Sequence, residues 1–327
     1  MRCRFPASCL LLLVLCSSAI AAPDPLPSIV TVEFGPQGQF IVNGEPFIPI
    51  MSWLQRDYRF SMLRNLNFNT FMGNQDTPLE QAQASATVGG YCVVHAFGDN
   101  ETEKANQVIA ARGHGAILAW HHSDEPDMPD GSQPRVSPAT IAARYQWYQD
   151  LNIDRPVFVT FTANFMAEFR NRYTAAQQAE IYPQFIAASD VVGFDIYPIY
   201  GWGYPARLNY PASGTGQLVD YANGKPVYAW IETSKGSKWI SEERQPDVLP
   251  VHTRFEVWGS LIQGATAIGY FTHAWVPKFT EFAPTPEMQD ELQRLNGQIT
   301  ELTPAILAPP SERAVDLALT TTAGGTT

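Results

Sequence analysis

Apolar residues in this chain come in short continuous blocks rather than singly. From residue 46 onward the blocks are PFIPIMSW (46–53), FNTFMG (68–73), YCVVHAF (91–97), GAILAWHH (115–122), PVFVTFTA (156–163), VVGFDIYPI (191–199), KPVYAWIE (225–232) and AIGYFTHAW (267–275). Each reads as a parallel strand covered on both faces. Between them lie stretches with helical spacing: SMLRNLN, LEQAQASATV, TEKANQVIAARG, TIAARYQWYQDL, AAQQAEIYPQFIAAS, QLVDYANG, VHTRFEVWGSLIQG and PEMQDELQRLNGQITEL. The last sets Met288, Leu292, Leu295, Ile299 and Leu302 along one face at steps of four and three. Eight strand–helix units predict an α/β fold, a (β/α)8 TIM barrel. A doubly wound open sheet is the alternative, but MSWLQRD after the first block lacks the glycine-rich phosphate turn such sheets carry. Ahead of the barrel, IVTVEF and GQFIVNGEPF predict a short N-terminal β-hairpin.

The two ends of the chain follow other patterns. Residues 1–21 place Arg2 and Arg4 before an apolar run too short to span a bilayer, closing on Ala19-Ile20-Ala21. This predicts a secretory signal cut after Ala21 and a secreted or periplasmic protein; a lipid anchor at Cys16 is disfavoured by the bulk of Leu15 before it. The expected organisation is then a signal at 1–21, an N-terminal extension and hairpin at 22–45, a catalytic barrel at 46–308, and at 309–327 a tail or the start of an accessory β domain. Three of the four cysteines lie in the signal, which leaves Cys92 and no internal disulfide.

Charge narrows the partners. With 32 acidic against 21 basic residues the chain carries a formal charge of −11, and it has no basic run. Such a surface repels phosphate backbones and anionic membranes, so neither nucleic acid nor, beyond the signal, a membrane is an expected partner. Oligomeric state is left open by the sequence.

In a barrel of this kind the site lies at the C-terminal ends of the strands, where the apolar blocks stop. Those ends are Trp53, the polar loop Gly73-Asn74-Gln75-Asp76, His95, Asp124-Glu125, Asn164, Tyr197, Glu232 and Trp275. Two glutamates, Glu125 after strand four and Glu232 after strand seven, stand where paired carboxylates would cleave a glycosidic bond, one as proton donor and one as nucleophile. Aromatic residues suit sugar faces, and the chain supplies GWGYP (201–205) and Trp239 near the same rim. Asp195, on the same strand face as Tyr197, either lines the site or satisfies a buried amide.

In these motifs the chain resembles the clan of retaining glycoside hydrolases built on (β/α)8 barrels, from FIVNGEPFIPI to the final helix. The resemblance implies Glu125 as acid/base, Glu232 in AWIET as nucleophile, and Tyr197 of DIYP as the tyrosine bonded to that nucleophile. It also implies Trp275 as the floor of a sugar subsite and His95 as a lining residue. The expected function is cofactor-independent cleavage of an oligo- or polysaccharide by double displacement, with transglycosylation by the same residues and non-catalytic glycan binding as alternatives. Two departures stand out. Asp124 replaces the usual asparagine before the acid/base, which puts a second acid beside Glu125 and should raise its pKa. FMGNQD lacks the arginine many members carry after strand two, with Arg56 as a substitute.

Plainer roles compete for several of these residues. Glu125 could cap a helix, and Glu232 could pair with Lys235 or Lys238. A metal on His121, His122 and Asp124 is disfavoured because adjacent strand residues face opposite ways. Asp127 and Asp130, in a proline-rich loop, fit turn formation better than calcium binding.

Overall fold

The computed structural model describes residues 23–73 and 77–309. The predicted signal, the polar loop residues 74–76 and residues 310–327 of the tail lie outside the described residues.

The chain opens with three short strands, β1 (Val32–Phe34), β2 (Phe40–Val42) and β3 (Glu45–Phe47), which form an antiparallel sheet in that order. The hairpin expected here therefore gains a third strand, because Asn43 and Gly44 both take positive φ and turn the chain back after β2. The barrel proper runs β4 (Ile50–Gln55), α1 (Phe60–Asn65), β5 (Thr70–Gly73), α2 (Pro78–Thr87), β6 (Tyr91–Val94), α3 (Glu101–Ala111) and β7 (Ile117–Asp124). A two-stranded excursion, β8 (Pro129–Asp130) and β9 (Gln133–Pro134), precedes α4 (Pro138–Asp150). The chain continues through β10 (Val157–Thr162), α5 (Ala175–Ala187), β11 (Val191–Asp195), α6 (Tyr210–Ala222), β12 (Val227–Glu232), α7 (Pro250–Ile262), β13 (Ala267–Phe271) and α8 (Pro286–Ile306). Eight parallel strands close in the order β10-β11-β12-β13-β4-β5-β6-β7, the predicted TIM barrel.

All eight apolar blocks become barrel strands because both strand faces are buried, one in the barrel and one under the helices. Inside, large and small residues alternate around the wall. Gly193 faces the ring of Tyr228 and Gly269 faces that of Trp230; a Cβ at either would come within 2.1 Å or 2.2 Å of those rings. Bulk on one strand thus requires its absence on the next. Most helix starts are fixed by side chains that accept backbone N–H groups, Thr77 of α2 and Thr174 of α5 doing so in reciprocal capping boxes.

One helix is longer than its pattern suggests. The segment YPASGTG reads as a loop, yet α6 begins at Tyr210. Gly214 there lies against Phe194 and Met166, and a Cβ at this position would come within 2.5 Å of the Phe194 ring. Close packing thus explains a glycine that local propensity reads as a breaker.

The N-terminal sheet covers the end of the barrel away from the strand tips. Phe40 is fully buried with its ring 5.9 Å from that of Phe158, and buried Arg155 donates to the carbonyls of Ile117 and Ile29. The opposite end, where β7, β11 and β12 finish, is left open.

Candidate active site

The open end holds a continuous groove whose main cavity is ≈ 880 Å³. A second basin beside it is lined by Trp53, Leu54, Asp124, Glu125, Thr160, Asp195, Tyr197, Trp230, Trp239, Phe271, His273, Trp275 and Phe279. Glu125, Met128, Asp195, Tyr197 and Trp239 line both, so the acids Glu125 and Asp195 sit where the two basins meet.

A bulge in β7 puts them there. Phe158 pairs with His121 but the next residue, Val159, pairs with Ser123, so His122 is an extra residue in the strand. The bulge shifts the alternation by one, and Asp124 pairs with inward-facing Thr160. His121 remains inside, buried, 3.3 Å from the Thr160 hydroxyl, whereas His122 turns outward to the Ile141 carbonyl at 3.0 Å. The two histidines face opposite sides of the strand, as expected of neighbours. Burial lowers the pKa of both, and of His95, well below 6.5, so all three are neutral at pH 7.

Glu125 ends the strand in an unusual backbone state, with φ +44°. Its own N–H reaches the Thr160 carbonyl at 2.8 Å, and its carbonyl accepts from the Met128 N–H and the Arg135 guanidinium. Those bonds hold a left-handed conformation that costs a non-glycine residue about 1–3 kcal/mol. Two residues on, Asp127 is fully buried and accepts the Thr162 N–H, the Thr162 hydroxyl and the Tyr182 hydroxyl at 2.6–2.8 Å. It forms a turn, as expected, and also ties that turn to β10 and α5. Glu125 caps no helix.

The carboxyl of Glu125 meets that of Asp195, from the end of β11, in a contact that requires a shared proton. Burial raises both pKa values. The nearby charges of Asp124 and Asp127 push the same way, and Arg135 partly opposes the rise at Glu125, which reaches about 7. Tyr197 bonds to Asp195 and is likewise raised, burial again first. Asp124 is exposed to water within the groove, and the surrounding walls still lift its carboxyl to about 6 against the pull of Arg135. Trp53 stands edge-on to Trp230, ring centroids 4.8 Å apart, and Trp275 packs against Phe279 at 5.0 Å with the Lys238 ammonium 4.3 Å above its ring.

Glu232 is the exception, and its expected place across the groove from Glu125 needs correcting. Alternation should carry it into the mouth after Trp230. Instead it is fully buried, and it is absent from the groove lining. Its two carboxyl oxygens accept the Ile199 and Tyr200 N–H groups at 3.0 and 2.6 Å. Glu256 of α7 lies against it, sharing a proton, and also accepts from the Glu232 backbone N–H. Tyr197 accordingly bonds Asp195 rather than Glu232. Neither lysine considered as a partner pairs with Glu232: Lys235 meets Asp247, and Lys238 covers Trp275. His95 packs against Phe97 and His121 and does not line the groove. Arg56, the suggested substitute arginine, is engaged by Glu281.

Comparison of the sequence with family models gives no match, and comparison with curated proteins gives none either. Solved structures do match. The chain is similar to a β-glucuronidase from an uncultured Clostridium species, with TM-score 0.55 and 14% identity over 82% of this chain and 53% of that one. It is also similar to a GH2 β-galacturonidase from Eisenbergiella tayi, with TM-score 0.54 and 11% identity over 83% and 54% of the two chains. A third is the β-galactosidase of the psychrophilic Marinomonas ef1, with TM-score 0.54 and 10% identity over 79% and 60%. These neighbours are glycoside hydrolases, in keeping with the resemblance seen in the sequence. The chain spans little more than half their length, and the likeness is one of fold.

Sequence reasoning passed over several groove residues. Trp230 carried a signal, since it lies two positions before a strand end already assigned to the mouth. Phe271 at the end of β13 and His273 just beyond it sit likewise before Trp275. Arg172 lies in a loop and Arg244 ends a single 3-10 turn, Glu242–Arg244, and neither carries a periodic pattern that marks it.

Proposed function

We propose that this protein is a glycoside hydrolase acting on an oligo- or polysaccharide, with Glu125 as proton donor and Asp195 as the carboxyl that shares its proton. The observation that carries this reading is the Glu125–Asp195 contact at the junction of two aromatic-lined basins. A general acid must hold its proton up to the working pH, and burial with two neighbouring acids does this for Glu125. Donation of that proton to the glycosidic oxygen lets the anomeric carbon–oxygen bond break, the leaving sugar departs as an alcohol, and water supplies the new oxygen on the anomeric carbon while its proton returns to the Glu125–Asp195 pair. Trp53, Trp239 and Trp275 offer faces for the ring C–H groups on either side.

Double displacement through Glu232, the course implied by the resemblance, would require that carboxylate to leave two backbone N–H groups and enter the groove. We therefore read Glu232 as part of the scaffold. Secretion is part of the same proposal and rests on residues 1–21 alone. Among the described residues no helix is long and apolar enough to cross a membrane.

A panel of polysaccharides scored for new reducing ends, with wild type and Glu125→Gln side by side, tests the reading. Reducing ends that appear with wild type and fall about 100-fold or more in the variant support it. Saturable binding without cleavage would replace it with a glycan-binding role. NMR of the first product then gives the anomeric configuration: retention lost in Glu232→Gln would return Glu232 to the mechanism, and inversion would assign attack to water.

A further inference from the structure

We propose that the arm of the groove running from Tyr197 to Trp202 is a subsite for an anionic sugar, so that the substrate is an acidic polysaccharide carrying carboxylate or sulfate groups. This deepens the glycan reading of the groove and rests on it.

The arm is lined by Thr162, Asn164, Phe169, Trp202, Tyr204 and Trp239, with Arg172 and Arg244 among them. Trp202, Tyr204 and Trp239 are 38%, 61% and 59% exposed, an unusual display of large rings in one place and a surface on which sugars stack. Among the described residues, the acids that line the groove are Asp124, Glu125 and Asp195. Among the described residues Arg172 and Arg244 are the basic side chains that line the arm, and the Lys238 ammonium lies 5.4 Å from the Trp239 ring beside it.

Neither arginine is engaged by an acid. Among the described residues Arg172 makes no side-chain hydrogen bond or ion pair, and Arg244 bonds only the Ser241 hydroxyl at 3.0 Å. Carboxylates are in excess in this chain, 32 acidic residues to 21 basic ones, so partners are not scarce. Several other arginines have taken them: Arg56 and Arg59 share Glu281, Arg144 meets Glu101, and Arg254 and Arg294 both clasp Glu291. Two guanidinium groups left open in the same cavity, beside stacking rings, present the donor forks that bind carboxylate and sulfate oxygens in pairs. The negative surface of the rest of the chain repels a polyanion, which confines its binding to this arm.

The test uses the chain carrying Glu125→Gln, so that a bound polymer is not consumed, and reads affinity by calorimetry. The probes are a uronate polymer and its carboxyl-reduced counterpart, and a sulfated polymer and its desulfated counterpart. The expected result is that one acidic polymer binds about tenfold or more tightly than its neutral partner, and that Arg172→Ala and Arg244→Ala each remove about tenfold. Whichever pair shows the difference names the anionic group. Arg170→Ala removes an equal charge from a neighbouring residue outside the lining and should leave affinity unchanged. Equal binding of acidic and neutral polymers, or an unaltered affinity in the double arginine variant, overturns the proposal. Acidic polymer bound through the arginines but left uncut by wild type would sustain this inference and remove the hydrolase reading. Neutral polymers bound and cut while acidic ones are ignored would do the reverse.

Discussion

Two carboxyl pairs lie at strand ends of this barrel, and they differ in almost everything but chemistry. Glu125 and Asp195 meet at the junction of two open basins, with Tyr197 and Asp124 beside them. Glu232 and Glu256 meet out of reach of solvent, with two backbone N–H groups on one carboxyl and the shared proton and one backbone N–H on the other. Burial raises the pKa in both pairs. A perturbed carboxyl therefore does not by itself identify a reactive one; access to a lined cavity separates the two.

The largest effects should come from exchanging one carboxyl for an amide in each pair. Asp195→Asn should cost about tenfold to hundredfold in kcat/KM, because its amide hydrogens hold Glu125 ionised and take away the proton it must give. The same exchange at Glu232 should leave kcat/KM of the folded enzyme within about threefold of wild type. It should lower stability by about 1–3 kcal/mol, since an amide NH2 would oppose one of the two N–H donors. Urea titration and initial rates on both variants check the contrast, and a catalytic collapse in Glu232→Gln with stability intact would break it.

A smaller effect concerns pH. Because the folded pKa of Glu232 and Glu256 lies above that of an unfolded glutamate, the folded chain keeps protons that the unfolded chain releases. Their contribution is complete below the unfolded value and is lost as pH rises through about 7, where Glu232 titrates. Glu256→Gln should flatten the fall in unfolding free energy from urea titration between about pH 5 and about pH 8 by about 1 kcal/mol, leaving the part due to the groove acids. An unchanged slope would show that the pair is not buried as a proton-sharing unit.

The smallest effect sharpens the other pair. The charge of Asp124 is the second cause, after burial, of the raised Glu125 pKa. Asp124→Asn should then move the alkaline limb of kcat/KM down by about half a pH unit to one unit, from near 7. A limb that stays or rises would remove Asp124 from that role.

The eight strands could be read from the sequence because parallel strands buried on both faces leave unbroken apolar blocks, and Asp124-Glu125 could be read because the chain turns polar where one block stops. What escaped depends on contacts distant in sequence. The His122 bulge is visible only from the pairing with Phe158 and Val159. The capture of Glu232 depends on N–H groups of Ile199 and Tyr200 and on a helix residue, Glu256, none of which alters the pattern of AWIET. Asp195 was legible as a groove candidate from its spacing to Tyr197, but its contact with Glu125 required the barrel to close.

The left-handed backbone of Glu125 sets the protein's durability against its chemistry. At φ +44° the residue best suited to that position is glycine, and the carboxyl it carries is held in a crowded site that resists its charge. Glu125→Gly should therefore yield an inactive protein that is more stable by about 1 kcal/mol, measured as a higher urea midpoint. Selection for robustness alone would discard this glutamate, so on the proposed role of Glu125 its presence in the strained position is a trade-off of stability for activity.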